Sequence, residues 1–327
     1  MNKFLKQFTG AASLCMLFGM LVFSQVPIDL SEKIMKIKGQ YPVNFEDQGF
    51  GVYDWGEKKY KIFDWNFNIV QSFHIAIGEG PAEVKPYVYN SFIYKDKVYV
   101  NGHLSRVINI YSYKGAFAGS LSLAIAPHRI LLHNKNIFVL NSAVIDSPTL
   151  PFVQVLDIDT GKKLKEIHLK SPIPKPKDLG YTISMYFIYY DIGADELIYM
   201  LHALDNSLLI IDMEGNILKR INLPHEARVN YNARKDGHNV MVSLDTLDFY
   251  HDIEFSKTGI YLTFLKTEKV GVTVSDSVVM TYLVKWSNND KFQEKVFDGD
   301  LVILGEHKNT LYLFNRDEYS LLPVELF

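Results

Sequence analysis

The sequence predicts an all-β fold, a six-bladed β-propeller with blades of about four antiparallel strands, and three observations lead to this prediction. The aromatic share is high at 13%, and Tyr and Phe stand beside Val and Ile in short runs of the kind that half-buried strands favour. A strand-turn-strand pattern recurs along the chain. Asn or Gly also stands at the same point of several copies, where a tight turn is needed.

The repeats are clearest around Tyr53 and Val100. The stretches GVYDWGEKKYKIFDWNFNIVQSFHI and KVYVNGHLSRVINIYSYKGAFAGSLSL align with an offset of 47 residues, and LIYMLHALDNSLLIIDMEGNILKRINL lies 100 residues beyond the second. Two looser units, which begin near Val278 and Leu301, close the chain. Six sheets of this size, arranged radially, make a propeller with only short protected edges. The predicted turn residues tolerate a left-handed backbone; they are Asn68, Gly115, Gly161 and Gly215.

We expect residues 25–327 to form one domain whose ring is closed by strands from both ends of the chain. The strand-like stretch Glu32–Gly39 is the candidate for the N-terminal strand. Two insertions interrupt the repeats. Residues 170–182 are rich in Pro and Lys, and residues 224–249 are interpreted as a long polar connection.

The N-terminus has the pattern of a secretory signal peptide, predicted to span residues 1–24. Lys3 and Lys6 precede an uncharged apolar run, Ala11–Phe23, and compact residues stand before Gln25. The run is short for a membrane span, so no transmembrane span is expected in the mature chain. We predict a bacterial protein exported to the periplasm or the extracellular space, with a lipid anchor at Cys15 as the alternative.

Composition excludes several classes of function. Cys15 lies in the predicted signal, so the mature chain has neither a disulfide nor a thiol nucleophile. Removal of residues 1–24 takes away two Lys and no acid, which leaves 32 basic and 37 acidic side chains and a formal charge of −5. Such a chain is not basic enough to bind nucleic acid. We further expect a monomer without a cofactor.

The stretch IGEGPAEVKPY, residues 77–87, follows the outer strand of the first repeat and is predicted to cross to the inner strand of the second. Gly78 and Gly80 are expected to supply unusual φ angles, while Pro81 and Pro86 limit the freedom of the loop. A phosphate-binding loop would need a third glycine at the start of a helix, and Pro86 disfavours that start.

Residues 77–121 resemble a repeat of NHL-type six-bladed propellers. Such repeats carry a Gly-x-Gly-Pro-x-Glu loop, a later Pro and an Arg before the next strand; the matching residues are Gly78, Gly80, Pro81, Glu83, Pro86 and Arg106. The resemblance covers one blade well and about three others weakly. It implies a six-bladed fold, whose enzymatic members include amidating lyases and metal-dependent lactone hydrolases.

Propellers present functional residues where the inner strands begin, around one mouth of the axis. The candidate binding residues at these positions are Glu83, Tyr87, His128, Arg129, His251 and Asp252. Imidazole can ligate a metal or transfer a proton near neutral pH. However, no three histidines occupy matching blade positions, and the motifs His-Glu-x-x-His, Gly-x-Ser-x-Gly and the P-loop are absent from the sequence. No catalytic or metal-binding residue is therefore predicted.

These observations favour a non-catalytic binding propeller that recognises a protein, peptide or glycan through loops at one mouth of the central axis. The alternative is a metal-dependent lyase or hydrolase, similar to amidating lyases or lactonases, that uses the mouth histidines.

Overall fold

The structure is a computed structural model, and some predictions fall on residues that it does not describe. The predicted signal peptide, Cys15, the strand-like segment 32–39, Pro86 and Tyr87 lie outside the described residues. The described residues are 27–29, 42–45, 48–85, 88–102, 105–141, 149–173, 188–236, 239–256, 258–269, 277–287, 291–316 and 318–326.

The described residues form six small antiparallel sheets, as the repeats predict. The first strand, β1 (Ile28–Asp29), joins the last blade, and the other strands fill the blades in chain order. Blade 1 contains β2 (Val43–Asn44), β3 (Phe50–Asp54), β4 (Lys59–Phe63) and β5 (Ile69–His74). Blade 2 contains β6 (Val88–Tyr94), β7 (Lys97–Gly102), β8 (Val107–Ser112) and β9 (Phe117–Ser122). Blade 3 contains β10 (Arg129–His133), β11 (Asn136–Leu140), β12 (Val153–Asp157) and β13 (Lys163–Ile167).

The second half of the chain continues the same order. Blade 4 contains β14 (Ile188–Ile192), β15 (Ile198–His202), β16 (Ser207–Ile211) and β17 (Ile217–Asn222), with a turn of 3₁₀ helix at Ala203–Asp205. Blade 5 has five strands, β18 (Arg228–Asp236), β19 (Asn239–Ser256), β20 (Gly259–Lys269), β21 (Ser277–Ser287) and β22 (Lys291–Asp298). Blade 6 contains β23 (Leu301–His307), β24 (Thr310–Asn315) and β25 (Ser320–Glu325), and β1 is its outermost strand. The predicted six-bladed propeller is confirmed.

Strand β1 closes the ring. Ile28 lies opposite Leu321 and Asp29 lies opposite Ser320, so the N-terminal and C-terminal strands share blade 6. The predicted closure by both chain ends is thus present, with Ile28–Asp29 as the N-terminal strand, whereas the predicted candidate 32–39 lies outside the described residues.

The hydrophobic core lies between the blades. Six clusters of buried apolar side chains each join two neighbouring blades. At the junction of blades 1 and 6, Phe50 and Phe63 stack with ring centroids 4.9 Å apart and share a cluster with Phe314. All three side chains are fully buried. Each sheet therefore buries apolar surface that it cannot hide alone.

The turns between the third and fourth strands use a left-handed residue, and one prediction about them is corrected. Gly115, Gly161 and Gly215 have φ angles of 89°, 68° and 84°. In blade 1 it is Phe67, with φ of 63°, that is left-handed, and Asn68 is not. The backbone N–H of Asn68 donates to Asp64 Oδ1 over 2.9 Å. The turn of blade 4 has the same contact, from the N–H of Asn216 to Asp212 Oδ1 over 2.8 Å, with Gly215 left-handed. Phe67 is therefore the equivalent residue of blade 1, and the repeats of blades 1 and 2 are offset here by 48 residues rather than 47.

The crossing loop from β5 to β6 also differs in detail from the prediction. Neither Gly78 nor Gly80 has a φ in the left-handed region. Instead, the N–H of Gly80 donates to Glu83 Oε2 over 2.8 Å, and a Cβ on Gly78 would collide with that carboxylate. The glycines thus make room for the Glu83 side chain, which folds back on the turn.

The insertion at 224–249 is a β-hairpin rather than a polar connection. Strand β18 pairs with the first half of β19, and Asp236 lies opposite Asn239. Asp-Gly at 236–237, between alternating residues, is a hairpin signal that explains the difference. Because β19 continues into blade 5 as its innermost strand from Phe249, the hairpin lies at the end of the propeller where inner strands begin. Of the other insertion, only residues 170–173 are described.

Candidate functional site

A cavity of about 580 Å³ lies on the central axis. Residues from the innermost strand of every blade line it, and these strands are β2, β6, β10, β14, β19 and β23. Each blade starts at the axis, so the inner strands begin at the same end of the channel, which we call the mouth. The volume falls in the range of small-ligand pockets, roughly 300–1,000 Å³.

Four of the six predicted binding residues line this cavity. They are His128, Arg129, His251 and Asp252. Glu83 lies apart from them, in the crossing loop, where its backbone carbonyl accepts a hydrogen bond from Asn109 Nδ2 over 2.7 Å. Tyr87 is the sixth residue and lies outside the described part of the chain.

Polar side chains of three inner strands tie neighbouring blades together. Asn90 Oδ1 accepts from the N–H of Ile130 over 3.0 Å, which joins blades 2 and 3. Asp252 Oδ2 accepts from the N–H of Ile303 over 2.9 Å, which joins blades 5 and 6. Asp191 Oδ2 accepts from the N–H of Phe255, which joins blades 4 and 5. These three side chains have a structural role at the axis.

Three carboxyl groups share the channel, and burial disfavours their charged forms. Burial raises the pKa of Asp252 to about 6, against the opposing effect of Arg129 and two backbone N–H groups. Burial likewise raises the pKa of Asp191 to about 6. Burial and the charges of both aspartates raise the pKa of Glu254 well above its usual value, although the Asn44 amide hydrogen-bonds to it. These carboxyl groups therefore keep their protons to a higher pH than exposed carboxyl groups do.

Arg129 is a positively charged residue of the cavity lining and the candidate for direct contact with a ligand. Its positive charge lowers the pKa of all three channel carboxyl groups. Among the described residues, however, its guanidinium makes no hydrogen bond and no ion pair within 4 Å. Arg129 lines the cavity, and its guanidinium carries five N–H donors.

His251 is neutral and almost completely enclosed. Its side chain is 3% exposed, and its Nε2 lies 2.9 Å from the carbonyl oxygen of Leu301. Since a carbonyl only accepts, the proton sits on Nε2, and Nδ1 is an acceptor with no partner among the described residues. Burial and the charge of Arg316 lower the pKa of this imidazole to about 3.

A paired arginine borders the same end of the channel. Arg316, which follows β24, donates to both oxygens of Asp300 over 2.6 and 2.5 Å. His128 lies nearby in the cavity wall, with its ring edge-on to Tyr190 at a centroid distance of 6.4 Å. Over the described residues, the mouth thus combines the Arg316–Asp300 ion pair with the guanidinium of Arg129, which has no such partner.

No group of three or more His, Cys, Asp or Glu side chains in the described part of the chain is arranged to hold a metal ion. The carboxylates of the channel are engaged by different blades and are not gathered at one point.

Asp191, Glu254 and Arg316 were not predicted from the sequence. A signal for the two acids does exist, because each interrupts an apolar run of an inner strand, in Tyr190-Asp191-Ile192 and Ile253-Glu254-Phe255. Arg316 carries no such signal, since it lies in a turn between two ordinary strands.

The sheets and the axial cavity define this protein as a six-bladed β-propeller, and solved structures support the fold. A member of the DUF4221 family from Bacteroides vulgatus superposes with a TM-score of 0.58 at 12% identity, over 91% of this chain and 94% of that one. Virginiamycin B lyase from Staphylococcus aureus gives 0.51 at 14% identity, over 92% and 99%. A streptogramin B lyase gives 0.50 at 14% identity, over 91% and 96%. At these identities the likeness concerns the fold alone.

No protein-family model matches the sequence, and no curated protein matches it. Over the described residues, we find no helix with the length and apolar character needed to span a membrane.

Proposed function

We propose that this chain is an exported, NHL-type binding propeller without catalytic activity, which recognises a protein, peptide or glycan at the mouth of its channel. The observation that carries the proposal is the guanidinium of Arg129, which lines the cavity next to His128 and has no hydrogen bond or ion pair among the described residues. Structural arginines are usually paired when partly buried, and an unpaired one is suited to a ligand oxygen.

The walls of the cavity support recognition rather than turnover. The inner strands are fixed by hydrogen bonds between blades at Asn90, Asp191 and Asp252, so the lining is rigid. His251 donates its only proton to the Leu301 carbonyl and holds a low pKa, which makes it a poor general acid. These contacts favour binding over the alternative of a metal-dependent lyase or hydrolase.

Export is the second part of the proposal and rests on the sequence of residues 1–24. A basic N-terminus followed by a short apolar run is typical of a secretory signal, and cleavage before Gln25 would release residues 25–327 as one domain. Mass spectrometry of the protein recovered from a bacterial envelope fraction would give a chain that starts at Gln25. A chain that retains residue 15 with an attached lipid would support the anchored alternative.

Peptide and glycan arrays probed with residues 25–327 test the binding proposal. Arg129→Gln should abolish binding of the best ligand, because its donors would be lost from the cavity. Arg220→Gln is the matched control, since Arg220 is 44% exposed on the outer strand β17, pairs with Asp205 and does not line the cavity. The proposal would be contradicted if the best ligand bound Arg129→Gln as well as it binds Arg220→Gln, or if no peptide or glycan on the arrays bound the protein.

The enzymatic alternative has its own test. Metal analysis of the purified protein, with and without His251→Ala, would show stoichiometric metal that the variant loses if a mouth histidine is a ligand. Retention of the same metal content by both proteins would leave the alternative without support.

A further inference from the structure

The charges that face the channel do not balance among the described residues. Arg316 forms a close ion pair with Asp300, and its charge also acts on His251 and Asp252. Among the described residues of the mouth, Arg129 is the other cation, and its charge acts on the carboxyl groups of Asp191, Asp252 and Glu254. Lys95 also lines the cavity, but its ammonium lies 2.8 Å from Asp159 on the outer surface. Among the described residues, two guanidinium groups therefore stand against four carboxyl groups, those of Asp191, Asp252, Glu254 and Asp300.

The unmet hydrogen-bonding capacity of the channel is mostly that of acceptors. The Nδ1 of His251 is a buried acceptor without a partner, in a side chain that lines the cavity and is 3% exposed. Each carboxylate offers about four acceptor positions, and two are used at Asp191 and at Asp252. An occupant that brings several donors would satisfy groups that the protein leaves open.

A bare metal ion does not fit these acceptors, because no three of them are close enough to coordinate one ion within the described residues. An anion would meet Arg129, but it would also meet three acids of its own sign. An extended organic cation can reach acceptors that lie on different blades, and its positive charge offsets the negative charge of the carboxylates.

We propose that the channel binds a primary alkylammonium group, either of a free polyamine or of a lysine side chain in a peptide, with Glu254 as its main charge partner. This inference rests on the proposed function and specifies the ligand chemistry of the same cavity. Glu254 is chosen because, unlike Asp191 and Asp252, it accepts no hydrogen bond from a backbone N–H of a neighbouring blade in the described structure.

Isothermal titration calorimetry on residues 25–327 at neutral pH tests the assignment with four probes. 1,5-Diaminopentane and N-acetyl-lysine amide should bind, while 1,5-pentanediol and the ε-acetylated lysine derivative should not, because they have similar shape without the charge. Stronger binding of the diamine identifies the free polyamine as the source, and stronger binding of the lysine derivative identifies the peptide side chain.

Glu254→Gln should weaken binding of the amine at least about tenfold, which corresponds to about 1.4 kcal/mol. Glu214→Gln is the control with the same chemical change, since Glu214 is 66% exposed in the turn between β16 and β17 and does not line the cavity. Thermal melts of both variants establish that they are folded, and Glu254→Asp, which keeps the charge, should bind more tightly than Glu254→Gln.

Binding should also release protons to the buffer below neutral pH, because an entering cation lowers the pKa of the channel carboxyl groups. Titrations in two buffers of different ionisation enthalpy measure this release. Equal binding of the amine and the diol, unchanged affinity in Glu254→Gln, or no amine binding at millimolar concentration overturns the inference. If array ligands still depend on Arg129 in that case, only the ammonium assignment fails; if they do not, the proposed function fails as well.

Discussion

Replacement of Asp252 by alanine should destabilise the propeller at acid pH and much less at alkaline pH. The substitution removes the acceptor for the buried N–H of Ile303, which joins blades 5 and 6 over 2.9 Å. An unsatisfied buried donor costs about 1–3 kcal/mol. This loss is present at any pH.

The carboxyl group has an opposing effect that depends on pH. Burial raises the pKa of Asp252 from 3.8 to about 6 in the folded state, so the folded protein binds more protons than the unfolded chain between these values. Stability therefore falls as pH rises from about 4 to above 6, by up to about 3 kcal/mol for this group. Alanine has no carboxyl group and escapes that cost. Above pH 7 the two effects nearly cancel, whereas near pH 4.5 the lost hydrogen bond remains.

Urea denaturation of wild type and Asp252→Ala at pH 4.5 and at pH 8 measures the difference. Asn90→Ala is the matched control, because Asn90 accepts the N–H of Ile130 over 3.0 Å at the equivalent position between blades 2 and 3 but does not titrate. It should lose about 1–3 kcal/mol at both pH values. A larger loss for Asp252→Ala at pH 8 than at pH 4.5 would refute the reasoning, since it would mean that the ionised carboxylate stabilises the fold.

Three further predictions concern the core, a buried ion pair and the channel histidine. Phe50→Ala should lower the free energy of unfolding by about 3–5 kcal/mol in urea denaturation, because a fully buried ring between blades 1 and 6 leaves a cavity; a loss near zero would contradict the assignment of the core. Lys61→Met should lower the free energy of unfolding by about 3 kcal/mol, because it leaves the fully buried carboxylate of Asp54, 2.7 Å from Lys61 Nζ, without its cation. The control is Lys59→Met, which removes an exposed ion pair with Glu57 and should change the free energy of unfolding little. The imidazole of His251 should show no titration by NMR from about pH 8 to pH 4, because its folded pKa is about 3. The unfolded pKa is 6.5, so the stability that this neutral imidazole contributes is lost as pH falls from 6.5 to about 3. An NMR midpoint near 6.5 would show that the ring is solvated.

The fold followed from the sequence because propeller blades are repeats. The spacing of Gly115, Gly161 and Gly215 marks the same turn in three blades, and the alternating runs around them fix which strands are neighbours. Asn68 was assigned to the left-handed position because the offset of 47 residues is one too short at this turn, where Phe67 and Gly115 are the equivalent residues. The hairpin β18–β19 was missed because its polar residues resemble a loop, although Asp236-Gly237 is a turn signal.

The channel was predictable only in part, since it is assembled from residues more than a hundred positions apart. Positions at the starts of inner strands could be listed from the repeat, and His128, Arg129, His251 and Asp252 do line one cavity. The sequence does not show which residue each of these side chains contacts. Whether Arg129 is paired, and whether Asp252 faces solvent or the N–H of Ile303, depends on how two blades meet.

The most direct test of the account is hydrogen–deuterium exchange of residues 25–327 with and without the best ligand from the arrays. Binding at the mouth predicts slower exchange in residues 125–129 and 299–301, which lead into β10 and β23, with no change along the outer strands β9, β13 and β17. Protection of the outer strands with unchanged exchange at the mouth would contradict the account.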